Sequence, residues 1–209
     1  MARRKKDPTL LRLQRLLVEI GRRRFQAMLV TDPVAVGYFS GFTGDDSWLL
    51  VGAGRPCLLT DFRYAEQAER ECPHLARVVR RGAMMEALAR VVRRRRIRSL
   101  ALDPDAVTVG LRSRLAGGLG RRVRLGGLPG IVANLRIRKD ESEVRAIRRA
   151  IAAAEAAFNE FRRYVKPGMT EKALAADLDH RMRLAGADAP AFPTIVAADA
   201  TAAMPHARP

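Results

Sequence analysis

The feature that most constrains the fold is the alternation of short apolar segments with longer helical segments in the middle of the chain. The pattern predicts strands at residues 78–79, 100–103 and 123–125, with helices at residues 84–95 and 108–119 between them. Helices of about a dozen residues that alternate with short strands are typical of α/β layer structures with crossover connections. We therefore predict an α/β fold in which helices flank a sheet.

The N-terminal part of the chain predicts one further helix. Asp7 and Pro8 form a helix start, because aspartate caps the first turn and proline suits the first helical position. Gly21 is the predicted end. The apolar residues that recur at spacings of three and four, and that we expect to face the core, are Leu10, Leu13, Leu17 and Ile20.

The segment that follows predicts strands joined by turns. A buried strand is expected at residues 25–31, and Asp32-Pro33 is expected to turn the chain. A hairpin is predicted between strands at residues 48–51 and 57–60. The adjacent pair Asp45-Asp46 suggests a metal site, but a turn leading into the next strand is the interpretation we favour.

The last third of the chain predicts two helices. Asp140 followed three residues later by Glu143 forms a capping box, and Thr170 can cap the second helix. The first helix carries apolar residues at spacings of three and four, which favours one packed face; they are Val144, Ile147, Ile151, Ala154, Phe158, Phe161 and Val165.

Two groups of residues in this part of the chain invite a functional interpretation. Asp177, Asp179 and His180 suggest metal ligands, but a site needs three or four converging ligands, so a solvated helix face is favoured. The β-branched segment 192–197 predicts a strand, and His206 follows it after a loop of small residues. An imidazole can hydrogen-bond a reacting carbonyl or transfer a proton, although one histidine alone is weak support for a site.

The charge of the chain suggests partners without identifying them. Its 39 Lys and Arg against 22 Asp and Glu give a net charge of +17. The positive residues are nearly all arginine and are spread along the chain, with runs at residues 22–24 and 93–96, and no aromatic residues alternate with them. A solvated basic surface is therefore favoured over a nucleic-acid site, and an acidic protein partner stays open.

The cysteine content and the N-terminal residues predict a cytoplasmic location. Cys57 and Cys72 are too few for a disulfide framework, which favours free thiols in a reducing cytoplasm. The basic N-terminus is not followed by the apolar segment of a secretory signal, and no apolar run has the roughly 20 residues of a membrane span.

Several segments resemble the Xaa-Pro peptidases, aminopeptidase P and prolidase, of the creatinase or "pita-bread" metallopeptidase class. The resemblance extends over nearly the whole chain. The segments that carry it are Leu29-Val-Thr-Asp-Pro-Val, Tyr38-Phe-Ser-Gly-Phe-Thr-Gly, Leu59-Thr-Asp-Phe-Arg-Tyr-Ala-Glu-Gln-Ala, Asn134-Leu-Arg-Ile-Arg-Lys-Asp-Glu-Ser-Glu, Phe192-Pro-Thr-Ile-Val-Ala and Met204-Pro-His-Ala-Arg-Pro.

The resemblance implies two domains and a hydrolase. Residues 1–133 would form the creatinase-type N-terminal domain, a mixed sheet flanked by helices that helps to make homodimers. Residues 134–209 would form the first helices and strand of an incomplete α+β pita-bread domain. Complete members cleave the bond before proline in peptides with two divalent metal ions, such as Mn or Co.

The resemblance also assigns one site residue. His206 matches the family histidine that contacts the substrate or the tetrahedral intermediate. The family's metal ligands, two Asp, one His and two Glu, come later than this position, so the chain alone is expected to bind no metal and to be inactive. The alternative is a non-catalytic binding or scaffold protein, derived from a peptidase, whose basic surface meets an acidic partner.

Overall fold

The computed structural model describes residues 7–206 and divides the chain into two compact units. The first unit ends at Arg138 and the second begins at Lys139. The division that we predict after residue 133 falls inside a helix, Ile131–Ile137, that belongs to the first unit. That helix is tied to its unit by the Tyr38 hydroxyl, which donates to the Leu135 carbonyl at 3.2 Å.

The first unit is built on a six-stranded mixed sheet. In chain order its strands are β1 (Ala27–Val30), β2 (Trp48–Gly52), β3 (Cys57–Asp61), β4 (Ala76–Arg80), β5 (Ser99–Leu102) and β6 (Arg124–Gly127). The strands lie side by side in the order β4-β3-β2-β1-β5-β6. Strand β2 is antiparallel to both of its neighbours, and the other pairs are parallel. The predicted α/β class and the mixed sheet flanked by helices are confirmed.

Six helices belong to the first unit and two to the second, among the residues that the structure describes. Those of the first unit are α1 (Pro8–Arg22), α2 (Pro33–Ser40), α3 (Ala65–Glu71), α4 (Met84–Arg94), α5 (Val109–Leu119) and α6 (Ile131–Ile137). Those of the second unit are α7 (Glu141–Tyr164) and α8 (Glu171–Leu184). Short 3-10 helices occupy Phe62–Tyr64 and Asp199–Ala203.

The sheet has an apolar core on each face. Along β1 the side chains of Met28 and Val30 enter one core, and those of Ala27 and Leu29 enter the other, as the two-residue period of a strand requires. The first core includes residues from α1, α2 and α6, and the second includes residues from α4 and α5. The predicted helices and strands between residues 76 and 127 are confirmed, with bounds that move by at most two residues.

Helix α1 is confirmed, and Leu13 and Ile20 are buried as predicted, but the other two predicted core positions, Leu10 and Leu17, are wrong. Asp7 accepts a hydrogen bond from the Thr9 amide at 2.9 Å, as a helix cap does. Leu16 is fully buried, whereas Leu17 is 38% exposed and Leu10 is 41% exposed. The buried positions are Thr9, Leu13, Leu16 and Ile20. Because Thr9 is polar, a search for apolar residues at helical spacing does not find the complete buried face.

The predicted turn at Asp32-Pro33 is the start of a helix. The Asp32 carboxylate accepts from the Ala35 amide at 2.7 Å, and Pro33 is the first residue of α2. Gly41, with φ of 78°, ends that helix in the left-handed region that glycine tolerates. The signal is the one that starts α1, a capping aspartate followed by proline.

In the second unit the capping box is confirmed and the predicted strand is wrong. Asp140 accepts from the amides of Ser142 and Glu143, and Glu143 accepts from the Asp140 amide at 2.9 Å. Residues 193–198 have no regular secondary structure, and this unit contains no strand within the part that the structure describes. A β-strand needs a hydrogen-bonded neighbour, so β propensity alone does not form one here.

The apolar face of α7 is only partly covered. Phe161 is 8% exposed, but Ile147 is 46% exposed and Ile151 and Phe158 are each 50% exposed. Helix α8 packs against α7 and buries Leu174.

None of the helices described between residues 7 and 206 is long and apolar enough to cross a membrane.

Candidate functional site

The segment that carries His206 is attached to the start of α8. Thr170 caps α8 by accepting from the Ala173 amide at 3.2 Å. Glu171, the first residue of the helix, accepts from the Ala198 amide at 2.7 Å and from the Thr201 hydroxyl. These bonds, above all the one from Thr201, lower the pKa of the Glu171 carboxyl group, since they favour its ionised form. An ionised Glu171 therefore holds the 3-10 helix that precedes His206.

A second hydrogen bond fixes the middle of the same segment. The Thr194 hydroxyl donates to the Asp179 carboxylate on α8. On that helix Asp177 pairs with Arg181 at 2.5 Å, and this pair raises the pKa of the arginine. Two of the three residues that suggested a metal are thus used in structural contacts, and the third, His180, is exposed on the helix surface.

His206 itself lies exposed in a turn after the 3-10 helix. Between residues 7 and 206 no group of three or more His, Cys, Asp and Glu side chains is placed to hold a metal ion. The residues that the structure describes therefore do not fit a metal centre by themselves. The arrangement provides an imidazole on a tethered segment, accessible to another molecule.

A second polar cluster lies in the first unit, at the edge of the sheet where β3 and β4 end. Asp61 is nearly buried and accepts from Arg63 at 2.7 Å and from Arg80 at 3.3 Å. Asp46 completes the cluster, with distances of 3.0 Å to Arg63 and 2.5 Å to Arg80. The Arg63 hydrogen bond is the main reason why the pKa of Asp61 falls to about 2.

The sequence did not predict this cluster, because the Asp45-Asp46 pair was interpreted as part of a turn. Its four members come from three separate segments, and Asp46 and Arg80 are brought together only by the order of the strands. A local signal exists for one pair alone, since Asp61 caps the 3-10 helix by accepting from the Arg63 amide at 3.0 Å. The cluster neutralises its own charges, which indicates a structural role.

Comparison with known protein families matches both parts of the chain. The model of the creatinase/prolidase N-terminal domain matches residues 12–138, more than half of the chain. The chain belongs to the creatinase/prolidase family. The model of metallopeptidase family M24 matches residues 145–209. The predicted family is therefore confirmed, and the two matches follow each other along the chain in the order expected of a creatinase-type peptidase.

Individual relatives in the creatinase/prolidase family extend beyond the length of this chain. A peptidase of Bacillus subtilis, whose function is uncharacterized, is 28% identical over 94% of this chain and 55% of its own length. A solved Xaa-Pro dipeptidase from Bacillus anthracis is 27% identical with a TM-score of 0.89, over 95% of this chain and 55% of that one. An X-Pro aminopeptidase from Thermotoga maritima is 34% identical with a TM-score of 0.84, over 93% of this chain and 55% of that one. The chain thus spans about half the length of these proteins.

Membership of the creatinase/prolidase family does not by itself show that the residues described here can bind a metal ion. The second of the two matches is to a family of metallopeptidases. Within the described residues, Asp177 and Asp179 are already engaged in hydrogen bonds, and no group of three or more His, Cys, Asp and Glu side chains is placed to hold a metal ion. No metal-dependent step can therefore be derived from this chain.

Proposed function

We propose that this chain is the N-terminal portion of a metal-dependent Xaa-Pro aminopeptidase or dipeptidase that cleaves the bond before proline in peptides. Residues 1–133 supply the non-catalytic domain and residues 134–209 begin the peptidase domain. The observation that carries the proposal is the order of the two family matches, residues 12–138 and then residues 145–209, in one chain. The similarity in fold to the Thermotoga maritima X-Pro aminopeptidase, over 93% of this chain, also supports it.

The isolated chain is inactive in this proposal. Divalent ions in a metallopeptidase would be held by converging carboxylate and imidazole ligands, and they would supply activation of a water molecule and stabilisation of developing negative charge. The two divalent ions, such as Mn²⁺ or Co²⁺, would be held by residues outside the described range.

His206 is proposed to hydrogen-bond the substrate carbonyl or the tetrahedral intermediate. Its exposure in a turn supports access to a bound peptide. The two hydrogen bonds to Glu171 support a fixed position for the preceding segment, and a fixed donor stabilises developing charge more effectively than a mobile one. His180 lies on the same unit but on the surface of α8, so it serves as a matched control.

A chimera tests the proposal directly. This chain replaces the matching part of the Thermotoga maritima X-Pro aminopeptidase, and hydrolysis of an Xaa-Pro peptide is measured with Mn²⁺ or Co²⁺. We expect metal-dependent hydrolysis by the chimera and none by the isolated chain. His206→Ala should lower kcat of the chimera by about 10²–10³-fold, as loss of one oxyanion donor does, and His180→Ala should leave it unchanged. A folded chimera without activity, or an active isolated chain, would contradict the proposal.

Two further properties belong to the proposed enzyme. Cys57 and Cys72 are buried and unpaired, which supports the predicted cytoplasmic location because free thiols persist in a reducing compartment. Homodimer formation through the first unit is the second property, and sedimentation of the chimera measures it. A chimera that is active but monomeric would contradict the proposed homodimer and would leave the proposed peptidase function unaffected.

A binding or scaffold protein without catalysis is the second candidate function. It is favoured by one observation: runs of arginine near residues 22–24, 93–98 and 121–124 precede or begin the adjacent parallel strands β1, β5 and β6, and so lie at one edge of the sheet. The chimera separates the two candidates, because a scaffold protein that has lost catalysis would give a folded but inactive enzyme.

A further inference from the structure

Three runs of arginine that are far apart in sequence meet at one edge of the sheet. Strands β1, β5 and β6 are adjacent and parallel, so their first residues lie at the same edge. An arginine run precedes or begins each of the three strands. The eleven residues, which we call the arginine edge, are Arg22, Arg23, Arg24, Arg93, Arg94, Arg95, Arg96, Arg98, Arg121, Arg122 and Arg124.

Specific contacts hold the three runs together. The Arg124 guanidinium donates to the Arg24 carbonyl at 3.2 Å and lies over the Phe25 ring, 4.4 Å from its centroid. The Arg124 amide donates to the Arg98 carbonyl at 2.8 Å. The Gln26 side chain accepts from the Arg98 amide at 2.5 Å. Neighbouring strands are about 4.8 Å apart, so the first residues of the three strands lie within roughly 10 Å of one another across the sheet.

Acidic residues are concentrated at the opposite edge. Residues 87–139 contain only two of them, Asp103 and Asp105, and both follow the carboxyl end of β5. The pKa of Asp103 is raised mainly by burial, with the charges of Asp105 and Asp32 adding to it, so these acids are close to one another. Glu19, which pairs with Arg22 at 2.6 Å, is the one acidic partner of the arginine edge among the described residues.

Helix ends account for only part of this arrangement. The carboxyl ends of α1, α4 and α5 reach the arginine edge, and a helix end of this kind carries about −0.5 of an elementary charge. Three such ends supply about −1.5 against eleven guanidinium groups. The remaining positive charge is not balanced by the fold, which favours an external anionic partner.

A pocket with an apolar floor lies within the arginine edge. Its volume is about 220 Å³, and its apolar lining comes from Ala89, Val92, Ile97, Gly118, Leu119 and Val123. Its remaining lining residues are Arg93, Arg96, Arg98 and Arg122. All four arginines are exposed, and between residues 7 and 206 none of their guanidinium groups forms an ion pair.

We propose that the arginine edge binds an acidic protein segment that inserts one apolar side chain into this pocket. Guanidinium groups pair with carboxylates. A hydrocarbon side chain that covers the apolar floor removes apolar surface from water, which stabilises the complex. The pocket is smaller than the roughly 300–1,000 Å³ that hold drug-sized ligands, which argues against a nucleotide. A nucleic-acid duplex would contact the edge through its phosphates and leave the floor bare. The proposal does not depend on the peptidase function.

Fluorescence anisotropy on the full chain tests the proposal. The probe is a short labelled glutamate-rich peptide with one central leucine, and the comparison probes are the same peptide with serine at that position and duplex DNA of equal charge. The triple variant Arg93→Gln, Arg96→Gln, Arg122→Gln removes three charges from the pocket rim. The matched control Arg70→Gln, Arg81→Gln, Arg112→Gln removes three exposed charges elsewhere in the first unit.

We expect the rim variant to weaken peptide binding by about tenfold or more and the control by less than about threefold. The leucine peptide should bind more tightly than the serine peptide and the DNA. Hydrogen exchange of the wild-type chain should show protection by the peptide at residues 91–98 and 119–124, which keeps the test valid if a variant unfolds. Equal losses in both variants, equal binding of the two peptides, tighter binding of DNA, or no binding at all would overturn the proposal.

Discussion

Leu16 and Leu17 provide a direct test of how α1 packs on the sheet. Leu16 is fully buried in the core that includes Met28 and Phe39, whereas Leu17 is 38% exposed. Replacing leucine with alanine removes three carbon atoms, worth about 0.8 kcal/mol each when buried, and leaves a cavity that adds to the loss. We therefore expect Leu16→Ala to lower the free energy of unfolding by about 3–4 kcal/mol, and Leu17→Ala by less than about 1 kcal/mol.

Urea unfolding followed by fluorescence measures the two variants. Trp48 is the one tryptophan of the chain and lies in β2, so its emission reports on the first unit alone. The loss at Leu16 corresponds to a decrease in Tm of roughly 10 °C for a domain of this size. If Leu17→Ala costs as much as Leu16→Ala, the phase of α1 described above is wrong and the periodicity expected from the sequence is right.

Four other predictions rest on local features of the first unit. Gly21→Ala should raise the free energy of unfolding by about 0.5–1 kcal/mol, since this position in α1 has no atom within 4 Å of an added Cβ. Gly52→Ala should be strongly destabilising, because φ is 104° and the added Cβ would lie 2.5 Å from a backbone oxygen. Wild-type stability should fall as the pH drops from about 4 to 2 more steeply than that of Asp61→Asn, because a carboxyl group with a lowered pKa stabilises the fold only while ionised. Cys72, whose pKa burial raises to about 11, should not react with a thiol reagent near neutral pH until the chain is unfolded.

Each of these predictions has a contrary outcome. A destabilised Gly21→Ala variant, or an unchanged Gly52→Ala variant, would contradict the backbone geometry at that position. Parallel pH profiles for wild type and Asp61→Asn, both followed by Trp48 fluorescence, would show that the Arg63 contact does not lower the pKa in solution. Rapid modification of Cys72 in the native protein would show that the thiol is accessible.

Helix starts and hairpins were predictable because their signals are local. Asp140 with Glu143, and Thr170, each satisfy backbone amides within three residues, so the sequence shows both the donor and the acceptor. Asp32-Pro33 carries the same signal as Asp7-Pro8, and its helix was missed because the pair also suits a turn.

Packing decided the elements that local signals left ambiguous. The choice between Leu16 and Leu17 depends on which side of α1 meets the sheet, and Thr9, a polar residue, is part of the buried face. Residues 192–197 have the β-branched composition of a strand, but a strand forms only when another strand accepts its hydrogen bonds. The second unit has no such neighbour within the described residues.

The sequence by itself determined the α/β class, most helix and strand positions, the family and the candidate residue His206. Each of these depends on residues that are close together in the chain or on motifs a few residues long. Only the tertiary structure decided the strand order, and with it the Asp46–Arg80 contact and the assembly of the arginine edge from segments up to about a hundred residues apart. Such contacts follow from which strands pair, and pairing between distant segments is set by the packing of the whole sheet rather than by local propensity.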